Sequence, residues 1–445
     1  MERAIQSELM AWKSKPGRQP LILRGARQVG KTYALKAFGE KAYPRTFYLN
    51  FEEEPQLMRL FEKDLKPDRL IREIGLKFET SLDPDRDLLI FDEIQSAPKA
   101  LTSLKYFAED MPQLSVCSGG SLLGVHLGEG SFPVGKVDFL DLHPMSFDEF
   151  LTGIGEEHSC RYLRDYDFSE PIPALMHDRL WESLKLYMIV GGMPKSVLTY
   201  VEMKKDAVKA FNAVRQIQKL LIDAYLADIA KHAGKVNTLH IARIFESIPE
   251  QLAKAIDGSG SKFKFNGVVP GIRGYAKLVG AFDWLRAAGL VRQVPIANKA
   301  WIPLKAYAPE SSFKLYLLDV GILGALGSLS PSSIWEYGYG SYQGYFAENL
   351  ALQELVASGT DNIVSWREGT AEVEFLIDVD GKIVPLEIKS GWVTQAKSLK
   401  VFAEKYRPPK RVTLSAKNFN RNRETCAYTI PLYLAGRVRQ ILDLP

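Results

Sequence analysis

The chain has 445 residues, room for about three domains at roughly 150 residues each, and its 46% apolar and 25% charged residues exclude a disordered, collagen-like or disulfide-stapled chain. Lys and Arg number 57 against 53 Asp and Glu, a net charge of +4 that does not by itself demand a nucleic-acid partner. Cys117, Cys160 and Cys426 stand far apart with no Cys-x-x-Cys pair, which argues against zinc and fits a reducing cytoplasm.

Residues 1–20 predict one amphipathic helix ended by Pro16 and Gly17, with no apolar run of signal-peptide length. No stretch approaches a membrane span, so no membrane partner and a cytoplasmic location are expected. Apolar runs at 21–24, 46–51, 87–91, 114–118 and 137–141 predict buried strands, with helical segments between most of them, one at 31–39. Strands alternating with helices imply a mostly parallel α/β sheet covered on both faces. Residues 144–235 read as helical, with a turn at Gly191-Gly192-Met193-Pro194. In 236–310, two short helical pieces precede the loop 257–272. A longer helix near 273–288 follows, with Leu278, Phe282 and Leu285 on one face, and then strand-like runs at 290–296 and 301–308. Helices followed by a hairpin outline a winged helix-turn-helix. Residues 341–430 read helix, strand, strand, strand, helix, strand. The expected divisions are 1–150, 151–235, 236–330 and 331–445.

Gly25-Ala26-Arg27-Gln28-Val29-Gly30-Lys31-Thr32 fits the pattern GxxxxGK[ST] between an apolar strand and a helix. Glycines permit the tight turns that converge backbone N–H groups on phosphate oxygens, and the helix N-terminus adds its positive dipole end. Lys31 would contact the β- and γ-phosphates of ATP, and Thr32 would hold Mg²⁺. Leu88-Leu89-Ile90-Phe91-Asp92-Glu93 delivers a carboxylate to a strand tip: Asp92 would bind Mg²⁺, usually through water, and Glu93 would polarise the attacking water. Ser118, ending the strand beside that of Asp92, could sense the γ-phosphate or position water. Asn50, ending strand 46–51, could hold Glu93 away until a ligand binds. Polar residues also end strands for no functional reason.

RGARQVGKT, LLIFDEIQ, SGGSLLG and HPMSFDEF, followed by FESIPEQLAK, KFKF, WLRAAGLV, FKLYLLDVGIL, YFAENLALQEL and AEVEFLID…VPLEIKSG, resemble a bacterial and archaeal family of AAA-type ATPases with an uncharacterised downstream region. The resemblance covers nearly the whole chain. It implies a P-loop ATPase core, a helical and winged-helix-like middle and a restriction-nuclease-like C-terminal α/β unit, without fixing a substrate. The chain departs from the family at Gly135-Lys136, where the family often has Gly-Arg. Lysine lacks the planar fork of an arginine finger.

Asp380-Gly381 is a strong two-residue turn signal. That turn sets Glu374 opposite Glu387 and Glu372 opposite Lys389, with Glu374, Glu387 and Lys389 sharing one sheet face. Facing carboxylates repel, and a divalent cation or Lys389 would relieve them. This pattern resembles the PD-(D/E)xK nuclease site, in which Glu374 and Glu387 would bind Mg²⁺, Lys389 would assist water or phosphate, and Glu348 matches the helix acid. The family usually has Asp at the position of Glu374. A charged outer face with an ordinary Glu372–Lys389 pair, or a nuclease fold kept for binding alone, fits the same residues. Lys262, Lys264, Arg273, Lys277, Arg286 and Arg292 could contact DNA or RNA phosphates or form a solvated basic face on a packing module. The expected function is a Mg²⁺-dependent ATPase whose nucleotide state controls a nuclease-like unit, or a nucleotide-switched scaffold for DNA or a protein. A completing cation would come from another subunit or domain.

Overall fold

In a computed structural model, which describes residues 3–121, 133, 135–232, 235–256, 262–336, 342–392 and 397–443, the apolar runs become five short strands. These are β1 (Leu21–Gly25), β2 (Thr46–Asn50), β3 (Leu88–Asp92), β4 (Ser115–Ser121) and β5 (Asp138–Asp141). They pair in the order β2-β3-β4-β1-β5, and every pairing is parallel. The helices α1 (Ile5–Ser14), α2 (Lys31–Ala42), α3 (Pro67–Lys77) and α4 (Pro98–Asp110) lie between or before them. The first helix stops at Ser14, well short of residue 20, because Pro16 disfavours helical backbone in the residue before it.

Strand alternation decides what each face of this sheet carries. Ile22, Leu49, Leu89, Phe91 and Val116 share a buried core with Leu70 and Ile74 of α3 and Leu104 and Phe107 of α4. Phe91 meets Phe61 and Phe107 edge-on, with ring centroids 5.7 and 6.2 Å apart. Each such fully buried side chain contributes about 1.5–3 kcal/mol. The other face carries Asp92 and Gly119, against which Leu35 of α2 packs. Asp92 therefore stands on the face of α2, opposite the aromatic core.

The chain divides into two compact units: Met1–His143, to which Ala287–Gly289 are assigned, and the remainder from Pro144 to Pro445. The second unit opens with helix Phe147–Ile154, whose start is a capping box: Ser146 accepts from Glu149 N, and Glu149 reaches back to Ser146 N. Helices Ala174–Val190, Pro194–Met203, Ala207–His232 and Lys235–Ile256 follow. A single helix thus replaces the two short pieces expected before the loop 257–272, and residues 257–261 of that loop lie outside the described residues. Leu278, Phe282 and Leu285 are buried as expected, around a shorter helix, Val279–Ala287.

Next come β6 (Val291–Ala297) and β7 (Phe313–Leu317), an antiparallel pair. The strand expected at 301–308 is absent: Pro303 lies within the stretch and Pro309 follows it, prolines cannot donate to a ladder, and Leu304–Tyr307 forms one 3₁₀ turn instead. Helix Tyr342–Ala357 leads into β8 (Val364–Glu368), β9 (Ala371–Val379) and β10 (Lys382–Ile388). Helix Lys397–Tyr406 and β11 (Arg411–Ser415), β12 (Asn420–Asn422) and β13 (Ala427–Pro431) complete the unit. Among the described residues these strands form one sheet, β12-β13-β11-β10-β9-β8-β6-β7, so the boundary expected at 330/331 falls between strands of a continuous sheet. Asp380 and Gly381 have φ of 50° and 76°, as a tight hairpin turn requires, and the register is the expected one: Lys382 faces Val379 and Leu386 faces Phe375. Among the described residues no helix is long and apolar enough to cross a membrane.

Candidate nucleotide site and acidic face

The loop after β1 is shaped by three backbone positions. Gln28 and Gly30 have φ of 65° and 101°, and a Cβ on Gly25 would lie 2.5 Å from Leu142 O. Ala26 and Val29 are buried, while Arg27 and Gln28 are exposed. Arg3, which the sequence reading overlooked, pins the loop: it donates to Val29 O at 3.0 Å and to His143 O at 2.7 Å. Lys31 is 7% exposed and donates to Gly25 O at 3.1 Å and Ala26 O at 3.0 Å. Burial pulls its ammonium below the usual lysine value, against the raising influence of Glu93 and Asp92.

Asp92 is the hub of the site. Its Oδ2 accepts from Thr32 Oγ1 at 2.7 Å and from Tyr48 OH at 2.8 Å, and its Oδ1 accepts from Glu93 N at 3.1 Å. Tyr48 is a second overlooked residue. Its hydroxyl accepts from Asn50 Nδ2 at 3.2 Å, and Lys36 stands 3.8 Å over its ring. Burial, then the bond to Asp92, raise the Tyr48 phenol above its ordinary value. Thr32, Asp92 and the glycine-shaped loop fit a magnesium–triphosphate ligand: a small cradle, a hydroxyl and an anionic carboxylate on one face.

Two expected roles change here. Asn50 does not hold Glu93: its Oδ1 accepts from Glu52 N and Glu53 N, while Glu93 takes a bond from Gln95. Ser118 is fully buried, and its hydroxyl has no partner among the described residues. Alternation puts it with Val116 on the core face, away from Asp92. The β4 residue beside Asp92 is Gly119, where a Cβ would lie 2.5 Å from Oδ1. Lys136, at the position where the family often has arginine, pairs with Glu109 at 3.2 Å.

In the second unit the acids expected on one sheet face do gather, but lysines reach them first. Lys389 binds Glu387 Oε1 at 2.6 Å, and Glu387 Oε2 is buried without a hydrogen-bond partner among the described residues. Glu374 accepts from Ile388 N at 3.1 Å. Burial, then the charges of Glu387 and Glu348, hold the Glu374 carboxyl well above its ordinary value. Glu348 accepts from Tyr316 OH at 2.6 Å and pairs with Lys314 at 3.4 Å, and Lys314 also binds Glu372 at 2.6 Å. Lys389 therefore pairs with Glu387 instead of Glu372. Lys314 and Tyr316 come from β7 and were not expected; their only sequence signal is the i, i+2 spacing in Phe313-Lys314-Leu315-Tyr316-Leu317. Among the described residues no group of three or more His, Cys, Asp or Glu side chains is arranged to hold a metal ion. The metal site expected at Glu374 and Glu387 thus has no third His, Cys, Asp or Glu placed to complete it among the described residues, and Lys389 and Lys314 offset only part of the repulsion that raises Glu374.

A third polar cluster, unforeseen, lies deep in the second unit. Glu354 Oε1 accepts from Phe147 N at 3.0 Å and Tyr187 OH at 3.2 Å. Gln353 donates to Tyr187 OH at 2.7 Å and accepts from Val320 N at 2.9 Å. Asp319 accepts from Gly192 N at 2.6 Å and Ile322 N at 3.0 Å. Gly191 has φ of 73°, and a Cβ there would lie 2.3 Å from Asp319 Oδ1. Burial pushes Glu354 up to about 8 and Asp319 up to about 6.

Residues 17–151 match the family described as AAA domain. Residues 181–333 and 343–434 match two families described as domains of unknown function, DUF8612 and DUF4143. No curated protein matches the chain. Among solved structures, the Walker-type ATPase PABY2304 of Pyrococcus abyssi is 15% identical over 73% of this chain and 95% of its own, with a TM-score of 0.46. RuvB of Thermotoga maritima is 14% identical over 65% of this chain and 88% of its own, with a TM-score of 0.29. The first unit thus has a parallel sheet, and its residues 17–151 are similar to an AAA domain.

Proposed function

We propose that the chain binds ATP at the loop of residues 25–32 and hydrolyses it, and that the nucleotide state governs what the second unit holds. The observation that carries this reading is the convergence of Lys31, Thr32 and Asp92 at the end of β1 and β3. The loop amides would cradle the phosphates, and Lys31 would leave the Gly25 and Ala26 carbonyls for phosphate oxygens. Mg²⁺, held through Thr32 and Asp92, would neutralise phosphate charge. Tyr48 and Glu93 N keep Asp92 oriented toward Thr32. Glu93, with φ of 49° just beyond β3, would take the proton of the attacking water. Calorimetry tests this: Lys31→Ala loses triphosphate uptake, whereas Glu93→Gln keeps it and slows turnover by about 10²–10⁴-fold. Equal turnover by Glu93→Gln and the parent chain would refute the assigned base.

For the second unit, the pairing of Lys389 with Glu387 and of Lys314 with Glu348 and Glu372 favours a nuclease-like fold that holds nucleic acid without cutting it. Helix 342–357, the β8–β10 meander, helix 397–406 and the parallel strand β11 support the fold half of that reading. Incubation of the chain with DNA or RNA, Mn²⁺ and ATP should leave the nucleic acid intact. Cleavage abolished by Lys389→Ala would instead establish an active nuclease.

A further inference from the structure

Two open concavities of the second unit adjoin, since Tyr275 and Glu310 line both. The larger, about 770 Å³, is lined by Lys262, Lys264 and Arg273; the smaller, about 390 Å³, by Arg286, Arg292 and Lys305. Against these six cations stand two carboxylates, Glu310 and Asp361. The excess of four equals the +4 of the whole chain. Arg286 is partly offset by Asp283, while Lys262, Arg273 and Lys305 are exposed and form no ion pair with a described residue.

Aromatic rings form the floor between the cations. Tyr275 stacks on Phe282 at 5.9 Å and meets Phe265 at 5.7 Å. Phe263 and Phe313 lock the cluster from below. Tyr275 OH donates to Glu310 at 3.4 Å, which fixes the ring at the junction of the two concavities. Cations flanking a firmly held aromatic ring are the combination that grips a phosphodiester strand while a base stacks. Both volumes are of small-ligand size, about 300–1,000 Å³. Each is of a size that a nucleotide or two would fill.

We infer that this face binds single-stranded nucleic acid across Tyr275. The inference rests on the nucleic-acid half of the proposed function and not on ATP hydrolysis. The test uses the full chain and a fluorescein-labelled oligothymidylate, with anisotropy followed against KCl. The parent chain is compared with Lys262→Gln/Arg273→Gln/Lys305→Gln and with a control of equal charge loss, Lys41→Gln/Lys63→Gln/Lys99→Gln. Losing three phosphate contacts should weaken binding at least tenfold and flatten the log K against log salt slope by about 2, at about 0.7 per contact; the control should match the parent. Any of four results would overturn the inference: no binding by the parent chain, equal binding by the first variant, equal weakening by the control, or a matched duplex or polyglutamate held as tightly through the same residues. ATP uptake by the same samples reports separately on folding and on the nucleotide site.

Discussion

At Asp92, one oxygen serves two hydroxyls, Thr32 and Tyr48, and the other has Gly119 for a neighbour. Gly119→Ala would push a methyl group against Oδ1 from 2.5 Å, so the carboxylate must turn. We expect this variant to keep its thermal stability within a few degrees and to lose about tenfold in magnesium-dependent ATP affinity, read by calorimetry with and without the metal. Ser118→Ala should leave turnover within about twofold, because its hydroxyl, on the core face, has no partner among the described residues. Removing an unmade hydrogen bond is neutral to stabilising, which urea titration of the variant would show. The loop, Asp92 and Glu93 were legible in the sequence because strand, turn and helix signals agreed around them. Ser118 was misplaced because a strand end fixes a residue's position but not its face: a shift of one residue reverses the side to which it points. Asn50 does lie on the Asp92 face, but its amide oxygen accepts from the turn amides of Glu52 and Glu53 and its nitrogen donates to Tyr48. Tyr48 and Arg3 carry no motif at all, Gly119 lies within SGGSLLG with no role attached to it, and only the folded chain brings the three to the site.

Among the elements, the β9–β10 hairpin followed its sequence register, because a two-residue turn leaves no freedom in pairing. The acids on it were correctly gathered, and their partners were not. Lys314 sits in a strand that reads as alternating and solvent-facing, yet it is 4% exposed. Its burial depends on Glu348, from a helix 34 positions later, and on Glu372 of β9. Burial alone would lower a lysine, but the charges of Glu348, Glu372 and Glu374 outweigh it and raise this one. Lys314→Met would strand those carboxylates in a low-dielectric interior at a cost of about 3–5 kcal/mol, measurable by denaturant unfolding. The double variant Lys314→Met/Glu348→Gln should recover part of the loss, since the two residues are coupled. The strand expected at 301–308 failed for a related reason: the apolar content was right, but the prolines outweighed it.

Over the whole molecule, the second unit holds, besides Glu374, two carboxyls whose protons bind more tightly in the folded state: Glu354 near 8 and Asp319 near 6. Burial dominates both, and Asp148 and Glu149 add to the rise at Glu354. Ordinary carboxyls titrate near about 4. Between about pH 4 and 8 the folded state therefore carries protons that the unfolded chain has lost, and stability falls as pH rises through that window. Thermal melts from pH 5 to 8.5 should show the decline, and Glu354→Gln should flatten its upper part. The five-stranded parallel sheet was readable from strand–helix alternation. The eight-stranded one was not, because its strands are scattered between helices and the sequence suggested two modules where a single sheet runs through.

That sheet has an uneven weave. β9 and β10 are laced along most of their length, but among the described residues β6 meets β8 at two rungs alone, Ile296 with Ser365 and Ala297 with Trp366. Amide protons at that seam should exchange with deuterium sooner than those inside β10. A pull on the sheet would slacken the fabric there, along its perforation, long before it unpicked β9 from β10.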